Sequence, residues 1–91
     1  MSQLAEEITI TNKLGMHLRP AQQLAQIVLP FQCEVYLENN DHKVNAKSIM
    51  GLLTLAASQG TRLTVICEGD DAKEAMIAII ELIESGFGED D

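Results

Sequence analysis

The apolar residues of this chain change their period repeatedly, from two to nearly four and back, and few folds accept that pattern. Residues 6–11 put Ile8 and Ile10 on one side of a strand, with Thr9 and Thr11 on the other. Residues 18–29 carry Leu18, Ala21, Leu24, Ala25 and Val28 on one helical stripe, which Pro30 ends. Residues 33–38 alternate again, with Cys33, Val35 and Leu37 inward against Glu34, Tyr36 and Glu38. Asn39-Asn40-Asp41 is turn chemistry, because Asn and Asp tolerate positive φ. Val44 and Ala46 mark a short strand beyond it, and residues 48–58 read as a helix with Gly60 as its C-cap. Leu63, Val65 and Cys67 point inward from a strand over 61–68. The last helix opens at Asp70-Asp71, where Asp71 and Glu74 have capping-box spacing. It buries Ala72, Ala75, Met76, Ile79, Ile80 and Ile83 and ends at Ser85-Gly86. The order is βαββαβα. Strands with one polar face, interleaved with amphipathic helices, predict an antiparallel or mixed sheet with helices on one face, an open-faced α/β sandwich.

The 91 residues match one such domain over 1–91, with 86–91 as an acidic tail. Six Lys and Arg against 14 Asp and Glu leave a net charge of −8. Such a surface repels phosphate backbones and anionic lipids. Aromatic residues are only 3% and Trp is absent, which argues against a base-stacking platform. No apolar run approaches the roughly 18 residues that span a bilayer. Residues 1–7 lack the basic start and apolar stretch of a signal peptide. The expectation is a cytoplasmic protein with neither nucleic-acid nor membrane partners. Cys33 and Cys67 form no CxxC and have no His beside them, so they read as small core side chains rather than a zinc or redox pair. No metal site and no cofactor are expected.

One helix departs from the pattern. Ile49, Met50, Leu52, Leu53, Leu55, Ala56 and Ala57 run almost all the way round it, although a surface helix needs only a stripe. Either it is unusually buried or one side shows apolar surface to a partner.

The chemistry concentrates in Asn12-Lys13-Leu14-Gly15-Met16-His17-Leu18-Arg19-Pro20-Ala21. Pro20 belongs in the first turn of its helix, where a missing N–H costs nothing. That puts His17 at the N-cap, with the Leu18 and Arg19 amides pointing out of the helix. A helix N-terminus is an anion site, and Gly15 lets the backbone turn sharply into it. An imidazole beside free amides and an Arg is placed to hold a phosphoryl group covalently and neutralise its oxygens. The same positive field favours a neutral, nucleophilic ring. Lys13, Arg19 and Lys47 fall near this loop or at the start of the neighbouring helix, which on an acidic protein predicts a local positive pocket. The plainer alternative is that His17 only caps the helix and Arg19 is a solvated surface residue. Spacing alone leaves the two level. His42 reads as an exposed polar residue at a strand edge.

Gly15-Met16-His17-Leu18-Arg19-Pro20-Ala21 resembles the active-site motif of the histidine-containing phosphocarrier (HPr) family of the bacterial phosphotransferase system. Val44-Asn45-Ala46-Lys47-Ser48-Ile49-Met50-Gly51-Leu52 resembles the second signature of that family, around its regulatory serine. Motif separation, length and element order agree, so the resemblance covers nearly the whole chain. The stretch Asn12–Met16 and the ending Ser85-Gly86-Phe87-Gly88-Glu89-Asp90-Asp91 look most like the nitrogen-branch members.

The resemblance implies a four-stranded antiparallel sheet with three helices on one face. It implies that His17 is phosphorylated at Nδ1 by Enzyme I, or by its nitrogen-branch paralogue, and passes the group to an Enzyme IIA domain. Arg19 would pair with the phosphoryl oxygens, and the Leu18 and Arg19 amides would donate to them. Leu18, Ile49, Met50, Leu53 and Thr54 would form the docking surface. Ser48 matches the serine that a dedicated kinase, opposed by a phosphorylase, modifies in some bacteria; its structural role would be the N-cap of the second helix. Two other readings fit the element order: a ferredoxin-like regulatory domain that binds a small molecule, and an HPr-like interaction protein without transfer. Neither gives His-x-Arg-Pro at a helix start anything to do.

Overall fold

The computed structural model describes residues 3–89. Its elements are β1 (Gln3–Thr9), α1 (Leu18–Val28), β2 (Glu34–Asn39), β3 (His42–Asn45), α2 (Ile49–Thr54), β4 (Arg62–Glu68) and α3 (Ala72–Glu84), then a 3-10 turn at Gly86–Gly88. This is the order that the periodicity predicts. The strands form one four-stranded sheet, β1-β4-β2-β3, in which every neighbouring pair is antiparallel.

Register follows from the inward residues. Leu37 lies opposite Val65 on one side and Val44 on the other, and Ile8 lies opposite Leu63. A slip of one residue would turn this whole set to solvent, which pins the pairing. The helices cover the same face, bringing Leu24 and Val28 from α1, Leu52 from α2, and Ile79 and Ile83 from α3 into one fully buried cluster. Each such side chain contributes roughly 1.5–3 kcal/mol by leaving water. The opposite face is mostly polar, although Ile66 is buried in a row with Ala5 and Tyr36. Asn40 takes φ 57° in the β2–β3 turn, as its side chain permits.

Four local expectations are corrected. The second helix spans only Ile49–Thr54, because Ala56 takes φ 51° and breaks the helical path well before residue 58. Gly60 is therefore no C-cap; its amide bonds to the Ile10 carbonyl in the following turn. Asp71 stands at the N-cap of α3 without a side-chain capping bond. Its carboxylate instead accepts from the Gln32 and Cys33 amides at 2.8 and 2.9 Å, tying α3 to the start of β2. Leu18, expected on the buried stripe, is 54% exposed, while Ala21, Leu24, Ala25 and Val28 are buried.

Cys33 and Cys67 are buried free thiols. Burial first, and then the nearby Asp71 carboxylate, pushes both up to about 11, so each packs as a thiol.

Candidate functional site

The site begins with Asn12, buried to 1% exposure. Its carbonyl accepts the Gly15 amide at 3.2 Å, and its Nδ2 donates to the Gly15 carbonyl at 2.8 Å. Both ends of the turn before His17 are thereby closed. Met16 then donates its amide to the Ala57 carbonyl at 2.8 Å, which fastens the loop to the backbone leaving α2.

His17 occupies the N-cap of α1 with extended backbone, φ −94° and ψ −170°, and makes no side-chain capping bond. The Leu18 and Arg19 amides have no acceptor inside the helix and Pro20 has no N–H, so donors and the positive end of the dipole face outward. The His17 side chain is 36% exposed. Its Nε2 lies 2.7 Å from Oε2 of Glu89, whose Oε1 accepts from Asn12 Nδ2 at 2.9 Å. The Asn12 bond, then the His17 contact and the Arg19 charge, hold the Glu89 carboxyl below the usual carboxylate range despite some desolvation. An ionised carboxylate only accepts, so the ring nitrogen facing it carries the proton. The neutral ring then has its lone pair at Nδ1.

Of the expected cations, Arg19 stands at the site. Lys47 does not: its Nζ donates to the Phe31 carbonyl at 2.7 Å, just beyond the far end of α1. The positive pocket is thus smaller than expected, and it contains a carboxylate. Asn12 and Glu89 are the residues that sequence reasoning missed. The turn-rich run opening at Asn12 offered a weak signal; Glu89, 72 residues from His17, offered none beyond its place in an acidic tail.

The second motif also takes a defined shape. Ser48 Oγ accepts the Gly51 amide at 3.0 Å and so caps α2. Thr54 Oγ1 donates to the Gly51 carbonyl at 2.6 Å and accepts from His42 Nε2 at 2.8 Å. Ile49 and Leu53 are half-buried against the core, whereas Met50 is 75% exposed. Helix α2 packs against α1 and still turns apolar surface outward. Leu14, at 72% exposure, adds an apolar side chain on the His17 loop that the sequence did not single out. Among the described residues, no cluster of His, Cys, Asp and Glu could hold a metal ion, and no helix is long and apolar enough to cross a membrane.

A small open-faced sandwich presenting a half-exposed histidine at the start of its first helix has the architecture of a phosphocarrier domain. The family described as "PTS HPr component phosphorylation site" matches residues 4–85. The phosphocarrier protein HPr of Xylella fastidiosa (strain Temecula1) is 48% identical over 87 residues, covering 96% of this chain and 98% of that one. The phosphocarrier protein NPr of Proteus mirabilis is 44% identical over 84 residues, covering 91% and 93%. A crystal structure of HPr-C-His from Thermoanaerobacter tengcongensis superposes with a TM-score of 0.89 at 44% identity, covering 100% of both chains. The chain belongs to the HPr family of phosphocarriers of the phosphotransferase system.

Proposed function

We propose that His17 is the residue that carries the phosphoryl group. It takes the group at Nδ1 from the phosphohistidine of Enzyme I, or of its nitrogen-branch counterpart, and passes it to a histidine of an Enzyme IIA domain in the cytoplasm. One observation supports this above the plainer alternative: the imidazole stands at the N-cap of α1 but makes no capping bond, so the ring is not used by the helix. The Nδ1 lone pair closes on phosphorus as the donor's N–P bond breaks, and that bond's electron pair returns to the donor ring. The His17 ring keeps its Nε2 proton and becomes cationic. Arg19 and the outward amides of Leu18 and Arg19 neutralise the phosphoryl oxygens as charge redistributes. Transfer to the next protein runs the same step in reverse.

The docking surface is the exposed apolar rim: Leu18 beside the histidine, Met50 on α2, the half-buried Ile49 and Leu53, and Thr54. Such an interface is small and releases quickly, as a shuttle requires.

Incubation with Enzyme I, Mg²⁺ and phosphoenolpyruvate, followed by intact mass, tests the reading. One phosphate should appear, labile in acid and stable in base, and His17→Ala should accept none while keeping its fold. Labelling that persists in His17→Ala would overturn it.

A further inference from the structure

We infer that Glu89 is a positioning residue for phosphoryl transfer: its carboxylate, held by Asn12, fixes the His17 ring through Nε2 and stabilises the charge that the ring gains when Nδ1 is phosphorylated. The inference rests on His17 being the acceptor.

The carboxylate is built in rather than swung in from solvent. Beyond α3 the chain turns through Gly86, Phe87 and Gly88, all at positive φ, between 59° and 71°. Phe87 adopts this strained conformation with its side chain buried to 1% exposure. Burying the aromatic ring offsets the left-handed backbone and anchors the tail two residues short of Glu89. The Glu89 side chain is then only 11% exposed. Both oxygens are occupied by different donors, Asn12 Nδ2 at 2.9 Å and His17 Nε2 at 2.7 Å. Asn12 in turn is bonded to the Gly15 carbonyl, so tail, loop and imidazole form one chain of hydrogen bonds.

The chemistry follows from charge. Neutral His17 with its proton on Nε2 presents Nδ1 as the nucleophile. As the N–P bond forms, the ring moves from neutral to cationic, and the Nε2–H bond to a carboxylate strengthens along that path. A contact stronger in the transition state than in the ground state accelerates the step. A carboxylate plays the same orienting part behind the histidine of a serine hydrolase triad.

Glu89→Gln tests this with little change of shape. An amide offers one acceptor where the carboxylate offers two, so it cannot satisfy both Asn12 Nδ2 and His17 Nε2–H. The first readout is ¹⁵N–¹H NMR of the His17 ring in the unphosphorylated protein. In the wild type the Nε2–H tautomer should dominate with a protected, low-field Nε2 proton; in Glu89→Gln that proton should lose protection and Nδ1–H tautomer should appear. The second is the single-turnover rate of His17 phosphorylation, expected to fall on the order of tenfold with KM for the donor unchanged. Glu84→Gln, an exposed glutamate at the end of α3, controls for net charge and should match the wild type. Failure of wild-type phosphorylation would count against His17 as acceptor, whereas the ring spectrum reads the Glu89 contact without transfer. An unchanged ring spectrum, or a Glu89→Gln rate equal to or faster than wild type, would overturn the inference. A faster rate would show the tail to be a shield.

Discussion

Gly15 and Ala57 touch backbone to backbone: a Cβ on Gly15 would stand 2.3 Å from the Ala57 carbonyl oxygen. Gly15 also has φ +72°, so an L side chain there is strained by conformation and by contact. Gly15→Ala must either push residue 15 off the 57–58 backbone or lose the turn. It should destabilise the fold by roughly 2–3 kcal/mol in urea unfolding and slow His17 phosphorylation more than a remote substitution of equal cost. An unaltered midpoint would mean that the loop moves freely against the end of α2.

Arg19 lies at the site and its charge acts on Glu89. Arg19→Ala should slow phosphoryl transfer on the order of 10²-fold or more in stopped-flow or quench assays. Arg19→Lys should recover only part of this, because an ammonium lacks the planar fork that meets two oxygens at once. Equal rates in wild type and Arg19→Ala would leave the helix amides as sufficient.

Ser48 caps α2 through its hydroxyl, and Met50 stands exposed two residues on. Ser48→Asp keeps a side-chain acceptor, so the melting temperature should hold or rise. Its charge on the docking rim should raise KM for phosphorylation by Enzyme I, with partial recovery in added salt. Met50→Asp should impair transfer with little relief by salt, because it removes apolar contact. Wild-type kinetics in Ser48→Asp at low salt would place docking elsewhere.

Asp71 is held below its ordinary value of 3.8, chiefly by the Gln32 amide and also by Cys33. The native state therefore gives up this proton more readily than the unfolded chain does. Its contribution to stability is complete above 3.8 and is lost as pH falls through the lowered native value. As pH falls below about 4, wild type should lose more stability than Asp71→Asn, read from urea midpoints. Parallel acid limbs would contradict the tie between α3 and the start of β2.

The fold was legible because its signals are local. Alternation in β2 and β4 and the stripe of α3 report burial within a few residues, and the structure buries the residues they mark except Ile80, which is only partly covered. Readings failed where a side chain chose a distant partner over a near one. The Asp71 carboxylate passed over its own helix for amides at 32 and 33, and Lys47 reached the Phe31 carbonyl. Ala56 ends α2 without the Gly or Asn that would announce a left-handed residue. The histidine motif was visible in the sequence, but its Asn12–Glu89 support joins residues 77 apart and exists only once Phe87 is buried.

The central claim is that His17 is phosphorylated at Nδ1, at the mouth of the α1 N-terminus. Two-dimensional NMR of protein labelled with ¹⁵N in histidine, phosphorylated by Enzyme I and phosphoenolpyruvate, reads the bonded nitrogen directly through its coupling to ³¹P. The coupling should appear on Nδ1 of His17, with Nε2 still protonated and His42 unchanged. Coupling on Nε2 of His17 would contradict the geometry that leaves Nδ1 open, and coupling on His42 would contradict the acceptor itself.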